Sequence, residues 1–152
     1  MKNFYRKGIT VIELLLVLAV LGIIISVVTP QFSKIKENQV LKSAVGDVIS
    51  SLNKARSQTL ASLNSLQYGV RFEPDKIIIF TGTGFIDETA SNEVINIITP
   101  ATISNISLTG GVVNLYFNRL SGSPSVNGTV TISTTNFNKI ITISATGVAS
   151  SD

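Results

Sequence analysis

The chain has 152 residues, one domain's worth of material beyond any targeting segment, with 44% hydrophobic and only 14% charged residues. It contains neither cysteine nor histidine, which removes disulfide frameworks, thiolate nucleophiles, imidazole bases and the usual zinc ligand sets. The formal charge of +3, from 12 basic and 9 acidic side chains, would suit nucleic acid or a membrane surface, and its placement along the chain decides between them.

Residues 9–28 form the first element: twenty residues, sixteen of them apolar, with Glu13 the only charge. A helix of about 20 such residues crosses a bilayer. Lys2, Arg6 and Lys7 precede it with no acid among them, so the positive-inside rule leaves the N-terminus in the cytoplasm and the remainder outside. A cleaved secretory signal would show an apolar region of about 7 to 15 residues and an A-x-A-like site. This run is longer, carries Glu13 and ends in Thr29-Pro30. An ordinary signal anchor with Glu13 near the membrane edge stays open as an alternative.

A carboxylate inside a membrane helix costs about 2.5 kcal/mol or more unless it is paired. If the chain were cut between Gly8 and Ile9, the new ammonium on Ile9 would stand one helical turn from Glu13, and a neighbouring subunit's ammonium would serve equally. Further along, Gly22 weakens the helix by up to about 1 kcal/mol, and Pro30 removes the hydrogen bond its N–H would have given the Ser26 carbonyl. The helix can stretch or bend there, unless both are simply tolerated, as glycine and proline often are in membrane helices.

Arg6-Lys7-Gly8 followed by Ile9-Thr10-Val11-Ile12-Glu13 and an aliphatic run resembles the class III signal of type IV prepilins and pseudopilins. The resemblance implies that a membrane peptidase cuts after Gly8, that the Ile9 amine is methylated, and that Glu13 is the glutamate used in assembly. Gly22 and Pro30 fall where filament-forming relatives place a glycine and a proline. Ile9 departs from the pattern, since phenylalanine or methionine is more usual there.

After Pro30 the apolar period nears 3.6, with Leu41, Val45, Val48, Leu52, Ala55, Leu60, Leu63 and Leu66 on one side. Lys36, Lys42, Asp47, Lys54, Arg56 and Gln58 take the other, so the spacing predicts an amphipathic helix ending near Leu66. From Gln67 onward, β-branched residues alternate with polar ones between turn signals. Strands are expected at 68–72 and 76–81 about the turn Glu73-Pro74-Asp75, and at 93–98, 103–108, 112–117, 129–133 and 139–145. Val113/Leu115/Phe117, Val130/Ile132 and Ile141/Ile143/Ala145 supply one-sided faces to cover the helix, while 82–92 and 121–127 read as loops.

A helix followed by an antiparallel sheet resembles the pilin superfamily, and the finer likeness is to GspH/FimT-like minor pseudopilins. It rests on Leu52-Asn53-Lys54-Ala55-Arg56-Ser57-Gln58, Tyr68-Gly69-Val70-Arg71-Phe72, Phe117 before a glycine-containing loop, and Gly128 leading to Lys139-Ile140-Ile141-Thr142-Ile143-Ser144-Ala145-Thr146-Gly147. Some members bind DNA through basic C-terminal residues. Here Gly147-Val148-Ala149 replaces the usual glycine-arginine, and Arg119 and Lys139 are the only basic residues after Lys76. Tracking phosphates takes several such charges, so nucleic acid is not an expected partner.

Gly82-Thr83-Gly84 lacks the lysine and following helix of a phosphate loop and reads as a turn. Asp87, Glu88 and Glu93 lack regular cation-ligand spacing, which makes them a solvated acidic loop and leaves no expected metal or other cofactor. Asn105-Ile106-Ser107 and Asn127-Gly128-Thr129 match the N-glycosylation pattern without implying a role. No nucleophile and base assemble from the remaining residues, so an enzyme is not expected.

The expected fold is α+β and pilin-like: a leader at 1–8, a membrane and assembly helix at 9–29, an amphipathic helix at 30–66, and a β-rich ectodomain at 67–152 whose antiparallel sheet packs on the helix. The resemblance implies a minor structural subunit of a type IV pilus or type II secretion pseudopilus. Its partners would be prepilin peptidase, an inner-membrane assembly platform and other pilin or pseudopilin subunits, and its ectodomain would be periplasmic or extracellular. The alternative is a membrane-anchored binding module in DNA uptake or adhesion. Loss of Lys2, Arg6 and Lys7 with the leader would leave nine basic side chains facing nine acidic ones, so the basic balance becomes a sorting signal.

Overall fold

In a computed structural model that describes residues 8–87 and 89–152, one helix, α1 (Val11–Leu60), carries most of the first 60 residues. The leader residues Lys2, Arg6 and Lys7, and Glu88 of the acidic loop, lie outside the described residues.

The described residues up to Lys36 form one unit and those from Glu37 to Asp152 another. In the first, Leu14, Leu18, Leu21 and Ile25 are exposed, as are Phe32 and Ile35. This is a helix long and apolar enough to span a membrane. It begins two residues later than expected, at Val11, and runs unbroken through Gly22 and Pro30.

In the second unit α1 buries Leu41, Ala44, Val45, Val48, Leu52, Ala55 and Thr59, a stripe at three- and four-residue spacing. Against it pack two four-stranded antiparallel sheets where one was expected. The first has the order β3-β2-β1-β5, from β1 (Tyr68–Phe72), β2 (Lys76–Thr81), β3 (Glu93–Asn96) and β5 (Asn114–Tyr116). The second has the order β4-β6-β7-β8, from β4 (Thr102–Leu108), β6 (Gly128–Ser133), β7 (Asn138–Ile143) and β8 (Ala149–Ser151). Alternation fixes which side chains face inward and leaves open which strands pair; the chain passes from the first sheet to the second after β3, returns for β5 and leaves again for β6. The core is continuous, with Val70, Ile77, Ile79 and Leu115 from the first sheet and Ile103, Val130, Ile132 and Ile141 from the second.

The helix stops six residues short of the expected Leu66. Buried Thr59 accepts the Tyr68 N–H through its Oγ1 at 2.9 Å and donates to the Ala55 carbonyl at 2.9 Å. That bond draws the start of β1 back to the helix, and left-handed Ser62 and Asn64 turn the chain between them. Leu60, Leu63 and Leu66 consequently remain 43–45% exposed instead of extending the stripe.

Strands β1 and β2 have the expected bounds. β3 ends at Asn96, because Ile97 gives its N–H to Asp75 and the chain turns away. β5 is shorter than expected, with Val112 and Val113 partly exposed. β7 ends at Ile143 and leaves Ala145 exposed, because the Ser144 N–H bonds the Val148 carbonyl around Gly147 at φ 82° and folds the chain into β8, which was not expected.

Gly69 pairs with Phe80 on one side and Tyr116 on the other, and a Cβ there would run into the Phe80 ring and the Leu115 carbonyl. Gly69→Ala should destabilise the chain by about 2 kcal/mol through overpacking. Gly46→Ala, on the open side of α1, should stabilise it by about 0.5–1 kcal/mol. Urea midpoints of the full chain in detergent micelles measure both, and equal shifts would contradict this account of the β1 environment.

Candidate functional site

The N-terminal segment was expected to carry the chemistry of processing and assembly. Gly8, Ile9 and Thr10 precede the first turn of α1, and Thr10 Oγ1 accepts the Glu13 N–H at 3.3 Å. Thr10 is therefore an N-cap and Glu13 the third residue of the helix, the T-x-x-E spacing of a capping box. That signal was present in the sequence beside the charge reading of Glu13. A carboxylate in the first turn also faces the partial positive charge of the helix N-terminus. Glu13 is exposed and forms no ion pair among the described residues.

Gly22 has nothing within 4 Å of the position a Cβ would take. Packing within the described chain does not require a glycine there, so the small residue leaves its surface open to a close neighbour. Pro30 lies within α1.

In the unit of residues 37–152, three of the sequence segments singled out above meet around Arg56. Its side chain, expected on the solvent side of the helix, is half-buried: Nε donates to the Gly122 carbonyl at 3.0 Å and Nη2 to the Thr146 carbonyl at 3.2 Å. Arg56 therefore fastens both the 121–127 loop and the β7–β8 turn to the helix. A Cβ on Gly147 would strike the Gly122 carbonyl, and its φ of 82° also favours glycine. Helical periodicity put Arg56 on the solvent side and did not reveal that two loops return to it.

The other basic residues considered for phosphate contact are bonded within the chain. Arg119 Nη1 donates to the Ser65 carbonyl at 3.1 Å, and Lys139 Nζ to the Asp152 main-chain oxygen at 2.5 Å. Glu93, which the sequence grouped with a solvated acidic loop, opens β3, and both its carboxylate oxygens accept from Lys54 Nζ at 2.6 and 2.7 Å. No group of three or more acidic side chains converges on a metal position among the described residues. The Gly82-Thr83-Gly84 turn leads to Phe85, which lies edge-on to Phe80 with ring centroids 5.6 Å apart and beneath the Arg71 guanidinium at 4.6 Å.

No protein-family model, curated protein or solved structure matches the chain.

Arg71 Nε also donates to Glu73 Oε1 at 2.8 Å, and this bond holds the Glu73 carboxyl below its ordinary range; partial burial opposes it and Lys76 at 3.3 Å reinforces it. A carboxyl with a lowered folded-state pKa contributes stability that is fully present above its unfolded value, near 4.5, and lost as pH falls through the folded value. Stability should therefore decline on acidification below about pH 4.5, and Glu73→Gln should make that decline shallower. Unfolding free energies of both proteins across pH 3–6 test it, and superimposable slopes would exclude a contribution from Glu73.

Proposed function

We propose that this chain is a structural subunit, of the minor pseudopilin kind that GspH/FimT-like proteins represent, in a type IV pilus or type II secretion pseudopilus. Prepilin peptidase cuts between Gly8 and Ile9 and the Ile9 amine is methylated. The helix at 9–29 holds the subunit in the inner membrane, N-terminus in the cytoplasm, until an assembly platform transfers it to the filament. There other pilin or pseudopilin subunits cover its aliphatic surface.

One observation supports this reading most. An exposed aliphatic helix bears a single carboxylate, Glu13, whose main-chain N–H is capped by Thr10 while its charge has no ion partner among the described residues. Burying that helix among others gains on the order of 25 cal/mol for each Å² of apolar surface removed from water. It also strands the carboxylate unless a cation arrives with the neighbour. A free N-terminal amine on the next subunit, created by cleavage at Gly8, supplies that cation at the corresponding end of its helix. Gly22, with open space where a Cβ would stand, permits close approach of a second helix.

Glu13→Ala should leave processing largely intact and reduce incorporation into filaments at least tenfold. Mass spectrometry of the mature N-terminus and sheared-filament immunoblots read the two steps separately. Wild-type incorporation of the variant would refute the pairing. An N-terminus that retains Met1 through Gly8 in assembled material would refute the processing step and favour a permanently anchored binding module.

A further inference from the structure

β3 lies at the edge of the first sheet and, among the described residues, pairs only with β2. The Ile97 N–H reaches the Asp75 carbonyl at 2.8 Å, so by strand alternation Glu93 and Ile95 also face β2. Val94 and Asn96 then direct their N–H and C=O groups away from the sheet. Both residues are exposed, and none of their outward groups is bonded among the described residues. Natural edges are commonly blunted by proline, lysine or a bulge. The β4 edge has a register shift between Ile103 and Asn105, whereas β3, a short strand of four residues, has no proline, lysine or bulge.

Beside β3, between it and α1, lies a furrow of two hollows that share Asp47. One, of about 210 Å³, is bounded by Val40, Ala44 and Ile98, and the other, of about 160 Å³, by Ile79 and Ile95. The Lys54–Glu93 ion pair, 2.6 Å long, borders the second. Asp47 is half-buried at the middle and makes no ion pair among the described residues. A half-buried carboxylate without an ion partner favours a cation as its neighbour.

We propose that the β3 edge and this furrow bind an extended peptide segment of a partner protein. The segment adds to the first sheet as a fifth strand and carries a lysine or arginine opposite Asp47. Main-chain bonds to Val94 and Asn96 align it, and every second side chain of the added strand drops into the furrow. Aliphatic residues fill the two hollows, and the cation between them meets Asp47. The outermost strands of the two sheets among the described residues, β3, β4, β5 and β8, contain no lysine or arginine. A second copy joined edge to edge would therefore leave Asp47 unpaired, which selects a different chain as the occupant. The site belongs to the ectodomain unit and is present whether or not the N-terminal helix assembles into a filament.

The test uses the full chain in detergent micelles and a capped synthetic peptide with valine, lysine and valine at alternate positions and threonine between them. Saturable binding is expected by fluorescence anisotropy. Methylating the peptide's central main-chain nitrogens, or replacing its lysine by glutamate, should each weaken binding about tenfold or more, the scale of one or two lost polar contacts. Asp47→Asn should abolish discrimination between lysine and glutamine peptides. Asn96→Pro, which removes an outward N–H at an edge position where proline is tolerated, should weaken every peptide. Should that variant misfold, the methylated peptides on the unaltered chain still decide the matter. Absence of saturable binding at millimolar peptide, indifference to main-chain methylation, or equal affinity for lysine and glutamate peptides would overturn the proposal. Self-association of the peptide-free chain that Asn96→Pro abolishes would give the edge to a second copy and overturn it too.

Discussion

Burial of one helical stripe, from Leu41 to Thr59, is the constraint on which the unit of residues 37–152 depends. Val48, Leu52 and Ala55 are at most 1% exposed, and strands from both sheets contribute to the same apolar cluster around them. Ala44 and Ala55 keep the helix surface low between the larger residues, so β-branched side chains from the sheets can fill the spaces. Neither four-stranded sheet has another helix among the described residues to cover its inner face. Each therefore relies on this stripe and on the opposing sheet to exclude water.

Much of this arrangement was legible in the sequence, and the failures have identifiable causes. β1 and β2 could be bounded to the residue because Glu73-Pro74-Asp75 separates the alternating run of β1 from the continuous apolar run Ile77 to Phe80 of β2. The first two-thirds of the helical stripe followed from its period. Its end did not, because Leu60, Leu63 and Leu66 continue the period, while a hydroxyl bond from Thr59 to a residue nine positions away decides where the helix stops. Periodicity reports local geometry and is blind to such a tie. β8 escaped for a related reason: three small polar-flanked residues, Ala149 to Ser151, carry no apolar alternation and become a strand only because the Gly147 turn lays them against β7.

The candidate assembly segment was legible as composition and charge, less so as local structure. Glu13 stands out in any hydropathy reading, yet its place as the third helical residue behind the Thr10 cap fixes how the carboxylate is presented. With its own N–H satisfied by Thr10, the residue is left with the charge alone to be matched. Arg56 shows the reverse case. The sequence supplied a polar residue on the polar face, and the return of two distant loops half-buries its side chain. Long-range closure of this kind is what a single sequence leaves least visible.

Arg56 has a mechanical consequence. Its guanidinium holds the Gly122 carbonyl in the crossover from the first sheet to the second, and the Thr146 carbonyl in the last hairpin, while Thr59, three residues on, holds the beginning of β1. A pull along the helix is thus distributed at one level into both sheets at once. The helix cannot slide by a turn past the strands without breaking all of these bonds together. Load would be met as a single cooperative rupture, and the two-sheet unit would respond to tension as one body where stepwise peeling of strands would otherwise begin.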